Sequence, residues 1–487
     1  MKKLRFLLVA LLAFAAVACE RPDDTPDSEQ APVLLSTEPA DGQTGIAVTD
    51  LRIALHFDQN VSCPTASRNL ITLEPGAGIV SFDAHDKALY LTAGTLEYET
   101  LYTLTIPSGC VKGLKENQED MPAMVLSFTT EAAPEPEPEP VRHELSPDAS
   151  LSNPSANSLA RQVYSFLLSQ VGKKTLSGVQ SPDTANNNDF VNSIASRTGF
   201  HPALAGYDFI FEHYSPTPAS WSWKIDYSDM SAPIEQWEKG GLVAYMWHWN
   251  VPTSEEAYKK GRDEMNFDGW IFYTDKTSFD IREVLKEGTW QHDYAIAEMD
   301  KVAGYLKILK DNNIPVLWRP FHEASGNTYS IWKSGAWFWW GRYGAEPCKA
   351  LWKKMYERFT KVHGLDNLIW VWTIDYHEGA EADALEWYPG NEYVDIVGAD
   401  IYADGTASQK DCWQFLVDVT EGRKLVTISE CGNVPDPAKC FEAGEKWSWW
   451  MVWSDDAESY KCNTESYWKA LMTSPYTITR ESMPKLK

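Results

Sequence analysis

Between residues 143 and 487, eight short apolar runs alternate with helix-like stretches, and this alternation restricts the possible folds more than any other feature of the chain. The runs lie at 176–180, 203–209, 242–249, 316–322, 368–373, 394–402, 425–429 and 449–453. Apolar residues at helical spacing fill most of the gaps, as in 294–309, 348–362 and 409–420. Strands that alternate with helices predict a parallel sheet. Eight of them in 345 residues is the count of a closed (β/α)8 TIM barrel. Open doubly wound sheets alternate too, but they bring a glycine-rich phosphate loop, and neither GxGxxG nor GxxxxGK[ST] occurs here.

The first third of the chain reads differently. Leu51, Ile53, Leu55 and Phe57 alternate strictly, as do Tyr102, Leu104 and Ile106, and Met124, Leu126 and Phe128, with turn clusters between them. Short strands over about 100 residues fit a small all-β immunoglobulin-like sandwich. The stretch, with STEPADGQTGIAVTD near its start and LSFTT at its end, resembles bacterial Ig-like modules. It holds no tryptophan to stack on a sugar, whereas all 22 tryptophans of the chain fall between Trp221 and Trp468, so a spacer is expected. The run APEPEPEP at 133–140 predicts an extended, self-repelling polyproline spacer. At the N-terminus Lys2, Lys3 and Arg5 precede an apolar run at 6–18, too short to span a membrane. Ala16-Val17-Ala18-Cys19 resembles a bacterial lipoprotein box. The expected organisation is therefore a signal at 1–19 with Cys19 lipidated, a tether at 20–30, the sandwich at 31–132, a linker at 133–142 and the barrel at 143–487.

Charge narrows the partners. With 43 Lys and Arg against 69 Asp and Glu, the formal net charge is -26, which argues against nucleic acid or an anionic membrane surface and for a neutral substrate. Seven cysteines remain once Cys19 is set aside; export permits disulfides, but their pairing does not follow from spacing. There is no HExxH, the ten histidines are scattered, and His377-Glu378 lies on a polar loop, so neither a catalytic metal nor a cofactor is expected.

Two glutamates stand out. Glu323 closes VLWRPFHE and Glu430 closes LVTISEC, each at the end of a predicted strand, where a β/α barrel keeps its chemistry. Along the second strand Val426, Ile428 and Glu430 share a face on strict alternation, which points Glu430 at the barrel axis. A buried carboxyl walled by Trp318 and Phe321 has its pKa raised, which suits a general acid. Paired carboxylates flanking a scissile bond are the equipment of a glycosidase.

WRPFHE with a following FWWG, WHWN at 247–250, GYDF at 206–209, VDIVGADIY at 394–402 and ISECG at 428–432 together resemble family 26 of the glycoside hydrolases over residues 150–475. The resemblance implies a retaining barrel enzyme, most often an endo-β-1,4-mannanase acting on mannan or galactomannan, with Glu323 as acid/base and Glu430 as nucleophile. It implies that His322 hydrogen-bonds the nucleophile or the sugar, that Tyr402 donates to the nucleophile, and that His248 serves the negative subsites. Read alone, His322 and Tyr402 are core residues more often than site residues. Arg319 is expected to anchor a carboxylate, Glu430 or Asp400, and Asp208 and Asp400 to support the network. Eight tryptophans cluster at predicted strand ends, and alternation makes about half of them core. Trp247, Trp337 and Trp453 are the sugar-side candidates. The segment 254–290 is a candidate for shaping the cleft, and 325–336 is longer than the family's usual connection. Rival readings are a mixed-linkage β-glucanase or xylanase on the same barrel, or an inactive glycan-binding surface protein. The working expectation is a monomeric outer-membrane lipoprotein.

Overall fold

The structure, a computed structural model, describes residues 30–76, 78–115, 118–134, 141–182, 185–215, 225–326, 335–377, 384–454, 457 and 462–487. The signal segment with Cys19, most of the tether, the heart of the Pro-Glu run, most of the 325–336 connection and Glu378 lie outside these residues. The chain divides into two compact units, Met1–Glu139 and Pro140–Lys487.

In the first unit two four-stranded sheets face each other. One runs in the order Leu34–Glu38, Arg52–Phe57, Ala88–Ala93, Ile79–His85; the other in the order Gln43–Ile46, Met124–Thr130, Leu101–Ile106, Thr72–Glu74. The alternating residues read from the sequence supply the core: Ile53, Leu55, Phe57, Tyr102, Leu104, Ile106, Leu126 and Phe128 are all buried. Each such side chain contributes roughly 1.5–3 kcal/mol on burial.

The second unit is a closed parallel barrel of β1 (Thr175–Gln180), β2 (Leu204–Asp208), β3 (Leu242–Met246), β4 (Val316–Arg319), β5 (Leu368–Asp375), β6 (Ile396–Ile401), β7 (Leu425–Cys431) and β8 (Trp447–Val452). Each strand pairs with the next, and β1 closes the ring by pairing with both β2 and β8. All eight predicted runs are strands. Their residues are buried on both faces, as a sheet covered by helices requires. The helices begin where side chains satisfy free backbone N–H groups: Asn157 caps Ser158–Gln170, Thr289 caps Trp290–Asp311 and Thr464 caps Glu465–Thr473.

Two details depart from the sequence reading. β4 ends at Arg319 instead of reaching His322. Pro320 has no N–H to continue the ladder, and Phe321 and Glu323 both take positive φ, 51° and 50°, so the chain leaves the sheet in a tight turn. Strict alternation also fails in β7. Ala399 pairs with Ile428 but Asp400 pairs with Glu430, so Ser429 is an extra residue in a bulge. Ile428 shares the outer face with Trp450, which packs on Trp468, while Ser429 Oγ meets Thr373 Oγ1 at 2.9 Å inside the barrel. The bulge, and not alternation from Ile428, turns Glu430 inward. Of the seven cysteines from Cys63 to Cys462, all but Cys462 are buried.

Candidate active site

The C-terminal ends of β4 to β7 bring four carboxyl groups and one guanidinium together. Asp375, Asp400 and Glu430 stand side by side on β5, β6 and β7 by register. Glu323 arrives from the turn after β4, its backbone N–H donating to Thr373 O on β5 at 3.1 Å. One carboxylate oxygen from each of Glu323, Asp400 and Glu430 lies within 4.8 Å of the other two. Arg319, buried at the end of β4, spans two of them: Nη1 donates to Asp400 Oδ2 at 3.1 Å and Nη2 to Glu430 Oε1. The sequence left the partner of Arg319 open between these two; the structure gives it both.

The charges decide where the protons sit. Three carboxyls share one cation in a buried space, so full ionisation would leave a net charge of two that nothing neutralises. Burial, then the charges of Asp400 and Glu430, push Glu323 well above its ordinary value. Burial and Glu430 push Asp400 up too, against the pull of Arg319. Glu323 and Asp400 are hydrogen-bonded in a sense that raises the first and lowers the second, which makes Glu323 the proton donor. Burial works to lower Arg319, but Asp400 and Glu430 outweigh it and hold the guanidinium charged. Tyr402, just past β6, has a half-exposed ring, yet its hydroxyl donates to Glu430 Oε2 at 2.8 Å. Burial and the charge of Glu430 raise the phenol well above its usual range, so it stays a donor.

A second chain of polar groups runs beside the first. Asp208 at the end of β2 accepts from the His248 backbone N–H at 3.0 Å and lies 2.5 Å from His248 Nδ1. His248 Nδ1 donates to Asp208, and His248 Nε2 meets His322 Nε2 at 3.2 Å. His322 is 1 % exposed, and burial followed by His248 holds its pKa well below the usual range, so it is neutral. This corrects the expectation for His322: it bonds His248, and neither Glu430 nor the open cleft.

The aromatic candidates separate. Trp337 and Trp453 are partly exposed, Trp453 lying 6.1 Å from His248. Trp247 is 2 % exposed and stacks on Trp249 at 4.1 Å. It packs the wall and does not reach the cleft, because its backbone position turns it away from the axis toward Trp249, which itself packs on Trp339 and Tyr294. The FWWG segment supports the site from outside: Trp340 Nε1 donates to His322 O at 3.0 Å, and Trp339 Nε1 to Trp249 O at 2.7 Å. Phe338 packs on His322 and His248 at 5.2 and 5.6 Å.

Sequence reasoning missed Asp375, which ends β5 and has His377 Nε2 2.7 Å from Oδ2; its signal was the TID that follows the predicted run. It also missed Phe272, 5.0 Å from His248, on a segment with no strand pattern. Among the described residues the Glu323, Asp400 and Glu430 trio is the one group with the spacing of metal ligands. Arg319 already supplies positive charge to two of its members.

A (β/α)8 barrel whose mouth carries paired carboxyls, one kept protonated and one held by a guanidinium and a phenol, defines a glycoside hydrolase. The family model for glycosyl hydrolase family 26 matches residues 152–482, and the chain belongs to that family. A bacterial Ig-like domain matches residues 28–130. A mannan endo-1,4-β-mannosidase of Thermothelomyces thermophilus is 34 % identical over 370 residues, 74 % of this chain and 67 % of that protein. Mannan endo-1,4-β-mannosidase B of a Piromyces species is 31 % identical over 353 residues, 71 % of this chain but 55 % of its own length; the chain thus spans about half of that longer relative. Among solved structures, a β-mannanase from a symbiotic protist of the termite Reticulitermes speratus, complexed with a gluco-manno-oligosaccharide, superposes with a TM-score of 0.59 at 32 % identity, covering 70 % of this chain and 99 % of that one. The family 26 domain of a Prevotella bryantii endo-β-mannanase/endo-β-glucanase gives 0.62 at 32 % identity, covering 69 % and 100 %.

Proposed function

We propose that this chain is a retaining, endo-acting hydrolase of β-1,4-mannosidic bonds in mannan and galactomannan, working as a monomer without a cofactor. Glu430 attacks the anomeric carbon while Glu323 gives its proton to the departing glycosidic oxygen, so the sugar becomes an ester of Glu430. Glu323, now ionised, takes a proton from water; the water oxygen attacks the same carbon, Glu430 leaves as a carboxylate, and Glu323 is again protonated. Arg319 and Tyr402 keep Glu430 anionic, and Asp400 accepts from Glu323 between turnovers. His248, Trp337 and Trp453 meet the sugar, with His322 fixing His248.

The observation that carries this reading is that Glu323 and Glu430 each bring one carboxylate oxygen to within 4.8 Å of the other. Retaining enzymes keep their two carboxyls about 5–5.5 Å apart, whereas inverting enzymes leave about 6.5–9.5 Å for a water. The names of the relatives support β-mannan as the substrate and internal cleavage as the mode. The test is turnover on β-mannan, mixed-linkage β-glucan and xylan, with NMR of the first-formed anomer. Mannan is expected to be cut internally to give the β-anomer first, and Glu430→Ala to abolish turnover with the fold intact. First release of the α-anomer, or Glu430→Ala activity within about tenfold of wild type, would overturn the assignment.

The segment from Lys2 to Cys19 supports export as an outer-membrane lipoprotein with the lipid on Cys19. Palmitate labelling that Cys19→Ala abolishes is the expected result; equal labelling of the variant would exclude it.

A further inference from the structure

The long connection after β3 is built into the rim of the site by backbone pairing on both sides. Val251 and Ile271 exchange hydrogen bonds of 3.1 and 3.0 Å, Thr274 N donates to Trp337 O at 2.7 Å, and Trp339 N donates to Phe272 O at 3.0 Å. Two single β-bridges, Val251 with Ile271 and Tyr273 with Phe338, therefore tie residues 271–273 between the chain leaving β3 and the segment that begins FWWG. The rings of Phe272 and Tyr273 lie 4.5 Å apart, and both pack on Phe338. Phe272 turns in toward His248. Tyr273 lies nearly parallel to Phe338, with ring centroids 6.2 Å apart and an interplanar angle of 27°, and it is 40 % exposed. Phe338 in turn lies against His322.

A row of rings thus leads from the polar site outward, His322 to Phe338 to Tyr273, and only its last member meets solvent. Had Tyr273 served packing alone, its position would suit a covered ring such as Phe338. An exposed aromatic held by backbone hydrogen bonds on both flanks loses little freedom on binding, which is the condition under which a flat ring contributes most to affinity. Its hydroxyl has no partner among the described residues. Lys276 Nζ stands 5.2 Å from the ring centroid, placing three donors within reach of the same ligand.

We infer that Tyr273, with Lys276 beside it, forms a distal subsite for a mannose unit of the same β-mannan chain, on the His248 side of the carboxylates and beyond the sugar that His248 meets. This rests on the reading of the enzyme as a β-mannanase. The apolar C–H face of the pyranose packs on the ring, and its hydroxyls take the phenol and the ammonium as partners.

The experiment is a series of linear β-1,4-manno-oligosaccharides from three to seven units, with kcat and KM measured for wild type, Tyr273→Ala, Tyr273→Leu and Tyr273→Phe. Leu keeps bulk over Phe338 and guards against a ribbon that simply loosens. The expected result is unchanged kinetics on the shortest substrates. Once the chain is long enough to reach the ribbon, a loss of about tenfold in kcat/KM should appear in both Ala and Leu, carried by KM, and be largely restored in Phe. A loss of equal size at every length means that the ring acts only through Phe338 and His248, and overturns the inference. So does the absence of a loss at any length. Wild-type enzyme that leaves every oligosaccharide intact overturns the mannanase reading itself, and the inference with it.

Discussion

At the residue scale the site turns on where one proton rests. Glu323 sits in a turn whose positive φ values, its own and that of Phe321, cost of order 1–3 kcal/mol each for residues with side chains. The strain is held by the Thr373 hydrogen bond and by the packing of Phe321 against Trp249, Trp340 and Trp352. Because its pKa is raised above the ordinary 4.5, the folded state binds this proton more tightly than the unfolded chain does. That contribution to stability is full below the ordinary value and is lost as pH rises through the raised one. Glu323→Gln needs no proton, so its unfolding free energy should match wild type in acid and overtake it as pH climbs above 4.5; a constant difference across pH would contradict this. In kinetics the alkaline limb of kcat/KM belongs to the same group. Glu323→Ala should slow mannan far more than an aryl mannoside with a good leaving group, which needs no acid. Equal losses on both would remove the acid role. Both glutamates were legible in the sequence because a carboxylate ending an apolar strand is too costly to keep idle. The roles of His322 and Trp247 were not, since which neighbour a buried ring meets depends on strands far apart in the chain.

At the level of elements, hydrophobic period marked every barrel strand and most helices but missed the two irregularities that aim the carboxyls. Period reports which residues are buried. It does not report a left-handed turn at a bulky residue after Pro320, nor the single extra residue that turns Glu430 inward. Such features arise from the ladder of the neighbouring strand. The FWWG segment shows how one element positions another. A Cβ on Gly341 would stand 1.8 Å from the carbonyl oxygen of Ala324 and 2.7 Å from Ala336 Cβ, and Ala324 directly follows Glu323. The backbone oxygen cannot yield without moving the turn. Gly341→Ala should therefore cost about 1–3 kcal/mol of stability and, because a shift of about 1 Å at a reacting group costs about 100-fold, reduce kcat/KM on mannan by a comparable factor in a protein that is still folded at 25 °C. Thermal unfolding and steady-state kinetics on the same preparation check both halves. Activity within about twofold of wild type would show that the contact does not position Glu323.

At the scale of the whole molecule, each unit carries its own core, the sandwich around residues such as Leu55 and Phe128 and the barrel around its tryptophans. Every strand that closes the barrel lies after residue 174, yet the barrel unit does not begin there. Ser146 N donates to Gly422 O and Asp148 N to Arg423 O, at 2.8 and 2.9 Å. Ser152 N donates to the buried Asp395, whose other oxygen accepts from Trp370 N on β5. Residues 141–157 thus lie along the barrel and complete the hydrogen bonding of a carboxylate that has no exposed surface. Two truncations should behave differently for that reason. A chain lacking residues 20–140 should keep kcat/KM on soluble oligosaccharides within about twofold and leave the barrel's thermal transition in place. A chain that starts at Asn157 removes the Ser152 donor from Asp395. Leaving a buried carboxylate short of a partner costs about 1–3 kcal/mol, so its transition should fall by several degrees even though every proposed catalytic residue is retained. If the first truncation also loses activity, the sandwich contributes to turnover and is more than a spacer.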